Sequence, residues 1–156
     1  MEDQRASGEI DELTHTPEEL LTHYHNAMRG HPVAALEMDE YSVQRIVVRA
    51  RFEHDHTRPG GMVSGPNLFT LADAMAYFVT MSRSPRGSQA YTASISMEFL
   101  SPAPVGVLFV EGRLLRFGRR SSVVDTLIRC PERDEPIAHA VVTYAPVFPE
   151  RGQIST

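Results

Sequence analysis

The chain has no tryptophan, a single cysteine and no apolar run long enough to cross a bilayer. A membrane-spanning helix needs roughly 20 mainly apolar residues, so the sequence predicts no transmembrane segment. The lone Cys130 cannot form an internal disulfide, which favours a reducing compartment. The acidic start, MEDQRASGEIDELTHTPEEL, has no apolar core of a secretory signal, and we therefore expect a cytoplasmic protein.

Basic residues are also too few for a nucleic-acid-binding surface. Residues 1–20 hold seven acids and one arginine, so the other 136 residues carry a net charge of about +1, against −5 for the whole chain. A body of this charge can accept an anionic ligand, but it is not basic enough to indicate nucleic-acid binding. We expect neither a nucleic-acid nor a membrane partner.

The hydrophobic pattern predicts an acidic tail (1–15), one domain (16–150) and a short C-terminal tail (151–156). In TPEELLTHYHNAM, Thr16 is a plausible N-cap of a first helix, which ends near Gly30. Two strand-like segments follow, VAALEMDEYS and VQRIVVRARF. Four more come later: AYTASISMEFL, GVLFVEGRLLRF, SSVVDTLIRC and IAHAVVTYAPV.

Between the two groups of strands lies RPGGMVSGPNLFTLADAMAYF, a glycine-rich turn that becomes apolar. Its apolar residues recur at the spacing of one helix face: Leu68, Leu71, Ala72, Met75, Ala76 and Val79. A long apolar helix between runs of strands predicts an α+β domain. In such a domain an antiparallel sheet wraps around the central helix, here with an extra N-terminal helix.

Two residues of the central helix are candidates for a role in catalysis. Gly65 has no side chain, so a ligand oxygen can approach an unpaired N–H at the positive end of the helix dipole. Asp73 lies at the edge of the apolar stripe, where partial desolvation suits a general base or a nucleophile. Each also has a purely structural interpretation: a turn capped by Ser64, and a boundary carboxylate bonded to a neighbouring donor or to water.

The spacing of the two residues matters. Eight residues separate Gly65 from Asp73, roughly 12 Å along a helix. A carbonyl needs its hydrogen-bond donor and its base within about 3–4 Å. One helix does not easily supply both, whereas two antiparallel helices from two subunits do. If these residues form a site, the spacing predicts a dimer with two equivalent sites.

At these residues the sequence resembles the hotdog-fold acyl-CoA thioesterases, most closely the phenylacetate-pathway (PaaI-type) branch. The family's helix begins approximately N-x-x-G-x-x-H-G-G and continues to L-A-D-x-A, and RPGGMVSGPNLFTLADAMA keeps that spacing. YTASISMEFLSPAPVG, LLRFGRRSSVVDTLIR and PIAHAVVTYAPV resemble its later strands, so the resemblance covers about residues 43–147. It implies a hotdog fold, an acyl-CoA substrate, no metal or redox cofactor, and a homodimer or homotetramer.

The resemblance also implies residue roles. Gly65 would polarise the thioester carbonyl, and the partner subunit's Asp73 would activate water or attack directly. The family's histidine, second glycine and asparagine are replaced by Ser64, Pro66 and Arg58. Ser64 is kept as a third catalytic candidate. The substrate-binding candidates are Arg58, Asn67, Tyr77, Thr92, Ser94, Arg119 and Arg120.

Two pairs among these candidates are expected to contact the substrate for specific reasons. Thr92 and Ser94 are two apart on a predicted strand and are expected to share the face that lines the family's acyl site. By resemblance, Arg119 and Arg120 meet the phosphates of coenzyme A, although a solvated turn is the alternative interpretation.

Other possibilities are weaker. His54 and His56 are two apart on a predicted strand and would share a face, but without a third metal ligand a surface pair is favoured. Neither Ser64 nor Cys130 lies in a motif of a nucleophilic hydrolase. A dehydratase or hydratase of this fold would carry a catalytic histidine, which the central helix lacks. A non-catalytic acyl-CoA-binding or regulatory protein is the alternative to a thioesterase.

Overall fold

The computed structural model describes residues 12–30 and 34–149. Its elements follow the predicted order of one helix, two strands, a second helix and four strands. The helices are α1 (Pro17–Ala27) and α2 (Gly65–Met81), and the strands are β1 (Ala35–Tyr41), β2 (Ile46–Phe52), β3 (Gln89–Phe99), β4 (Gly106–Phe117), β5 (Ser122–Arg129) and β6 (Pro136–Val147). Neither helix of the described chain has the length and apolar content needed to span a bilayer.

The six strands form one antiparallel sheet in the order β1-β2-β4-β5-β6-β3, so β1 and β3 are its edges. Helix α2 packs across β3, β4, β5 and β6, and α1 contacts β1 and α2. Strand residues facing α2 alternate with partly exposed ones, as in β5, where Val124, Thr126 and Ile128 are buried. This is the predicted α+β arrangement of a sheet wrapped around a central helix.

Helix α2 is buried more widely than the predicted stripe. All six residues of the stripe are buried, and so are Ala74, Phe78, Thr80 and Met81. Gly112 on β4 allows this close approach, because a Cβ there would lie 2.4 Å from the Met75 sulfur and 2.8 Å from Val79. The helix is therefore fixed tightly against the sheet, which fixes the position of every polar group it carries.

Thr16 is the N-cap of α1, as predicted. Its hydroxyl accepts the Glu19 N–H at 3.2 Å, and the Glu19 carboxylate accepts the Thr16 N–H at 2.8 Å, which completes a capping box. Just before it, Thr14 donates from its backbone to the carbonyl of Ser82 at 2.7 Å. Thr14 therefore contacts the end of α2, although the sequence assigned it to the tail. Residues 1–11 and 150–156 lie outside the described chain.

The prediction that His54 and His56 lie on a strand is wrong. Strand β2 ends at Phe52, and residues 54–56 form a 3₁₀ turn in which His56 N–H donates to Glu53 at 3.1 Å. Such i→i+3 bonds replace the extended backbone, so the two imidazoles do not alternate as strand residues would. No group of three metal-ligating side chains is found in the described ranges.

Candidate active site

The first turn of α2 has one backbone N–H that is free to bind a ligand. Ser64 is the N-cap, and its hydroxyl accepts the Asn67 side-chain amide at 2.8 Å and the Asn67 backbone N–H at 3.4 Å. Pro66 has no N–H. Within the described chain the Gly65 N–H donates to no acceptor, so it is the one available donor at the positive end of the helix.

Gly65 lies in the wall of an open cavity of about 350 Å³. Its lining is mainly apolar and includes Leu68, Phe99 and Leu100, with the exposed Arg58 also lining it. Phe99 and Leu100 are each 54% exposed although both are large and apolar. A Cβ on Gly65 would meet the Phe99 ring at 3.7 Å, so the helix start and the end of β3 face each other here. The cavity combines an apolar wall with a free amide and a nearby cation.

Asn67 has a structural role in this turn. Besides its bond to Ser64, its side-chain amide donates to the carbonyl of His56 at 2.9 Å. These bonds tie the 3₁₀ turn after β2 to the first turn of α2. Substrate binding by Asn67 and a catalytic role for Ser64 both stay predictions, and the Asn67 side-chain NH2 and the Ser64 oxygen already bond to each other.

Asp73 lies two turns further along α2 and is partly buried. Its Oδ1 accepts two hydrogen bonds: from the Thr92 hydroxyl at 2.6 Å and from the Tyr144 hydroxyl at 3.0 Å. No donor among the described residues reaches its other oxygen, Oδ2. The carboxylate is thus bonded to neighbouring donors, as the structural interpretation predicts, but only through Oδ1. Oδ2 is left to bind water or a substrate.

Tyr144 is the residue of this cluster that sequence reasoning missed. A signal was present, because alternation along β6 places Tyr144 on the same face as the buried Ala140 and Val142. A buried tyrosine hydroxyl needs a hydrogen-bond partner, and Asp73 is the acidic residue of the helix that covers this face. Only the strand register shows that the two meet.

Two buried phenols are subject to the charge of the carboxylate and stay protonated. Burial, followed by the negative charge of Asp73, raises the pKa of Tyr144 well above its usual range, and the side chain is only 4% exposed. The same two causes raise the pKa of Tyr24 to about 12. Near neutral pH both hydroxyls are therefore neutral, and Tyr144 acts toward Asp73 as a donor.

The predicted shared face of Thr92 and Ser94 is wrong. Thr92 pairs with Tyr144 on β6, whereas Ser94 pairs with Thr143, because Ala93 is an extra residue in β3. Adjacent residues of β6 point to opposite faces, so this β-bulge sends Thr92 toward α2 and Ser94 to the outer face. The geometric argument for Ser94 as a substrate contact is removed, whereas Thr92 gains one.

The remaining candidates are Tyr77 and the two arginines of the turn between β4 and β5. Tyr77, one turn after Asp73, is half-buried, packs against Tyr24 with ring centroids 6.0 Å apart, and has its pKa raised by burial. Arg119 and Arg120 are exposed in the turn between β4 and β5. That turn precedes Ser122, which pairs with Tyr144, so both cations lie at the same end of the sheet as Asp73. Phosphate binding by them stays a prediction.

The sequence model of the thioesterase superfamily matches residues 60–137, half of the chain. The chain therefore belongs to the thioesterase superfamily. This match includes Gly65, Asp73 and Thr92 but ends before Tyr144. The comparison with curated proteins found no match.

Solved structures confirm the predicted hotdog fold. A candidate thioesterase from a Silicibacter species is 28% identical, with a TM-score of 0.75 over 87% of this chain and 94% of that one. A thioesterase from Haemophilus influenzae is 18% identical, with a TM-score of 0.78 over 92% and 99%. A Streptococcus mutans protein bound to acetyl-CoA is 21% identical, with a TM-score of 0.68 over 77% and 94%. The phenylacetate-type branch stays a prediction.

Proposed function

We propose that this protein hydrolyses acyl-CoA thioesters at a site shared by two subunits. Gly65 supplies the N–H that stabilises the oxyanion, and Asp73 acts as base or nucleophile. The observation that supports this most is the pair of polar groups on α2 that have room for a ligand. It carries a free amide at an open apolar cavity and a carboxylate with one unbonded oxygen, in a thioesterase-superfamily fold.

The chemistry follows from these two groups. The thioester oxygen accepts the Gly65 N–H, which stabilises the negative charge that develops as a nucleophile adds to the carbonyl carbon. As a base, Asp73 takes a proton from water while the water oxygen bonds to that carbon. The C–S bond then breaks, and the coenzyme A thiolate leaves and takes up a proton. As a nucleophile, Asp73 forms an anhydride that water hydrolyses. Neither route requires a metal or a redox cofactor.

The geometry of β3 supports a dimer as the active unit. β3 is an edge strand, and the two halves of the site lie along it, with Gly65 beside Phe99 and Asp73 beside Thr92. Two β3 strands paired antiparallel about a point near Ile95 place Phe99 of one opposite the partner's Thr92. Gly65 then faces the partner subunit's Asp73. The two groups can therefore act on one carbonyl although they are far apart on a single helix.

The substrate class rests on the cavity and the nearby cations. Arg58 lines the same cavity as Gly65, and Arg119 and Arg120 lie at the Asp73 end of the sheet. A guanidinium pairs well with phosphate oxygens, which coenzyme A supplies. A Streptococcus mutans protein of the same fold is bound to acetyl-CoA, which supports a coenzyme A thioester as the substrate class. The helix spacing favours the phenylacetate-type branch, so aromatic thioesters belong among the substrates tested.

The first test is a panel of short, medium, long and aromatic acyl-CoA thioesters with detection of the released thiol. We expect hydrolysis by the wild type and a fall in kcat of about 10²–10⁴-fold in Asp73→Asn, as for the loss of a general base. Asp125→Asn is the matched control, because Asp125 is a partly buried aspartate that contacts His139 at 2.6 Å on the outer face. Acyl-CoA binding without thiol release would instead identify a non-catalytic binding protein.

The second test addresses the shared site. Asp73→Asn and Gly65→Pro are each expected to be inactive, but co-expressed subunits form mixed dimers with one intact site. Random pairing should restore about a quarter of the wild-type activity. A monomeric protein that is fully active, or a mixture with no recovery despite mixed dimers, would contradict the shared geometry.

A further inference from the structure

We propose that Tyr144 is a positioning residue. Together with Thr92 it holds Oδ1 of Asp73, so that Oδ2 is the oxygen that meets water or the thioester. This inference rests on the proposed thioesterase function. Tyr144 itself is buried and does not touch substrate, so it acts through the orientation of the carboxylate.

The hydroxyl of Tyr144 donates best to Asp73, and it also has a hydrogen-bond contact with the Thr92 side chain. Asp73 Oδ1 lies 3.0 Å away, and the Asp73 carbonyl oxygen lies 3.3 Å away. That carbonyl is in the middle of α2 and already accepts an N–H of the helix. The carboxylate is also the stronger acceptor, because it is charged. The hydroxyl hydrogen is therefore directed to Oδ1.

A second strand directs another donor to the same oxygen. Thr92 and Tyr144 are direct partners in the β3–β6 register, and both reach Oδ1. The bulge at Ala93 leaves Thr92 on the face that contacts the helix. After the bulge, odd-numbered residues of β3 take over that face. Two donors from two strands restrain both torsion angles of a short side chain. The orientation of Asp73 is thereby set before substrate binds.

The arrangement also separates the two oxygens by role. Tyr144 keeps its proton, because burial and the charge of Asp73 both oppose its ionisation. Oδ1 is consequently occupied whenever Asp73 is charged, and Oδ2 is left for the reaction. Such preorganisation lowers the cost of orienting the reacting group in the transition state and affects kcat more than substrate binding.

The test is Tyr144→Phe, which keeps the buried ring and removes only the hydroxyl. We expect kcat to fall roughly tenfold while KM changes less than about twofold, since the loss is confined to the transition state. In the Asp73→Asn background the same substitution should leave the residual kcat unchanged. The matched control is Tyr41→Phe, which removes a hydroxyl that donates to the His15 carbonyl at 2.6 Å in another part of the fold. It should lower stability but not kcat.

The outcomes are distinct. An unchanged kcat in Tyr144→Phe, or an equal fall in the Asp73→Asn background, would overturn the positioning role. Crystal structures of the wild type and Tyr144→Phe add a readout independent of activity: we expect the Asp73 carboxylate to rotate in the variant, and an unchanged orientation would also overturn it. An inactive wild type would refute the proposed function, whereas the crystallographic comparison would still decide how Asp73 is held.

Discussion

The first turn of α2 and its middle carry the two halves of the candidate site, but they are built differently. In the first turn the polar contacts are local, because Ser64 and Asn67 are three residues apart and His56 is eleven from Asn67. In the middle, Asp73 is held by Thr92 and Tyr144, which are 19 and 71 residues away. The start of this helix is thus organised by its neighbours in the chain, whereas its internal carboxylate depends on the register of the sheet.

The largest effect expected in the first turn comes from removing the free amide. Gly65→Pro deletes the N–H at a helix position where proline is tolerated, so the fold should survive. We expect kcat to fall by about 10²–10³-fold, as for the loss of one oxyanion donor. Gly65→Ala keeps the N–H, and its Cβ meets Phe99 at an ordinary 3.7 Å. Steady-state kinetics of the pair should show a large loss for proline alone. Equal losses would show that the space at residue 65, rather than its amide, is what matters.

A smaller effect is expected when the cap is removed. Ser64→Ala should lower the free energy of unfolding by about 1 kcal/mol, because the capping oxygen that accepts from the side-chain amide and the backbone N–H of Asn67 is lost. Ser64→Asn keeps a capping oxygen and should retain most of that stability. If the first turn is only a scaffold for Gly65, kcat of Ser64→Asn stays within a few-fold of the wild type. A stable but inactive Ser64→Asn would show instead that the hydroxyl takes part in the reaction. Urea unfolding and kinetics of both variants make the distinction.

A last effect, confined to alkaline pH, concerns the buried phenols around the middle of α2. The folded-state pKa of Tyr24 is about 12, against an ordinary value of 10. A raised pKa means that the stabilisation is complete below pH 10 and is lost as the pH rises from 10 to 12. We expect the free energy of unfolding of the wild type to fall over this range, and to fall less steeply in Tyr24→Phe. Urea unfolding at pH 10 and pH 12 measures both slopes. Identical slopes would mean that ionisation of Tyr24 is not coupled to unfolding.

Much of the fold could be predicted because it depends on local pattern. The N-cap at Thr16, the apolar stripe of α2 and the six strand segments are signals within short windows, and each corresponds to an observed element.

The two wrong strand predictions share a cause. The 3₁₀ turn at residues 54–56 and the bulge at Ala93 interrupt an extended backbone without a glycine or proline to mark them. The predicted strand therefore extended too far, over residues 54–56. After Ala93, the predicted alternation assigned residues to the wrong face of the sheet.

The candidate site was predictable only in part. Gly65 and Asp73 could be identified by their place on a helix, since helix geometry relates them by spacing alone. Thr92 was identified by resemblance, but its contact with the carboxylate depends on the bulge. Tyr144 was missed because nothing within a short window connects it to a helix 71 residues earlier.

By itself, the sequence determined the order of elements, the apolar helix, its capped start and the presence of one acid within it. These properties follow from backbone propensities, capping and periodicity, which act over a few residues. Only the tertiary structure decided which oxygen of Asp73 is bonded, which strand residues face it, and that the Gly65 amide opens onto an apolar cavity. Those features depend on strand register and on how closely α2 packs against the sheet, and a shift of one residue in β3 would change them all.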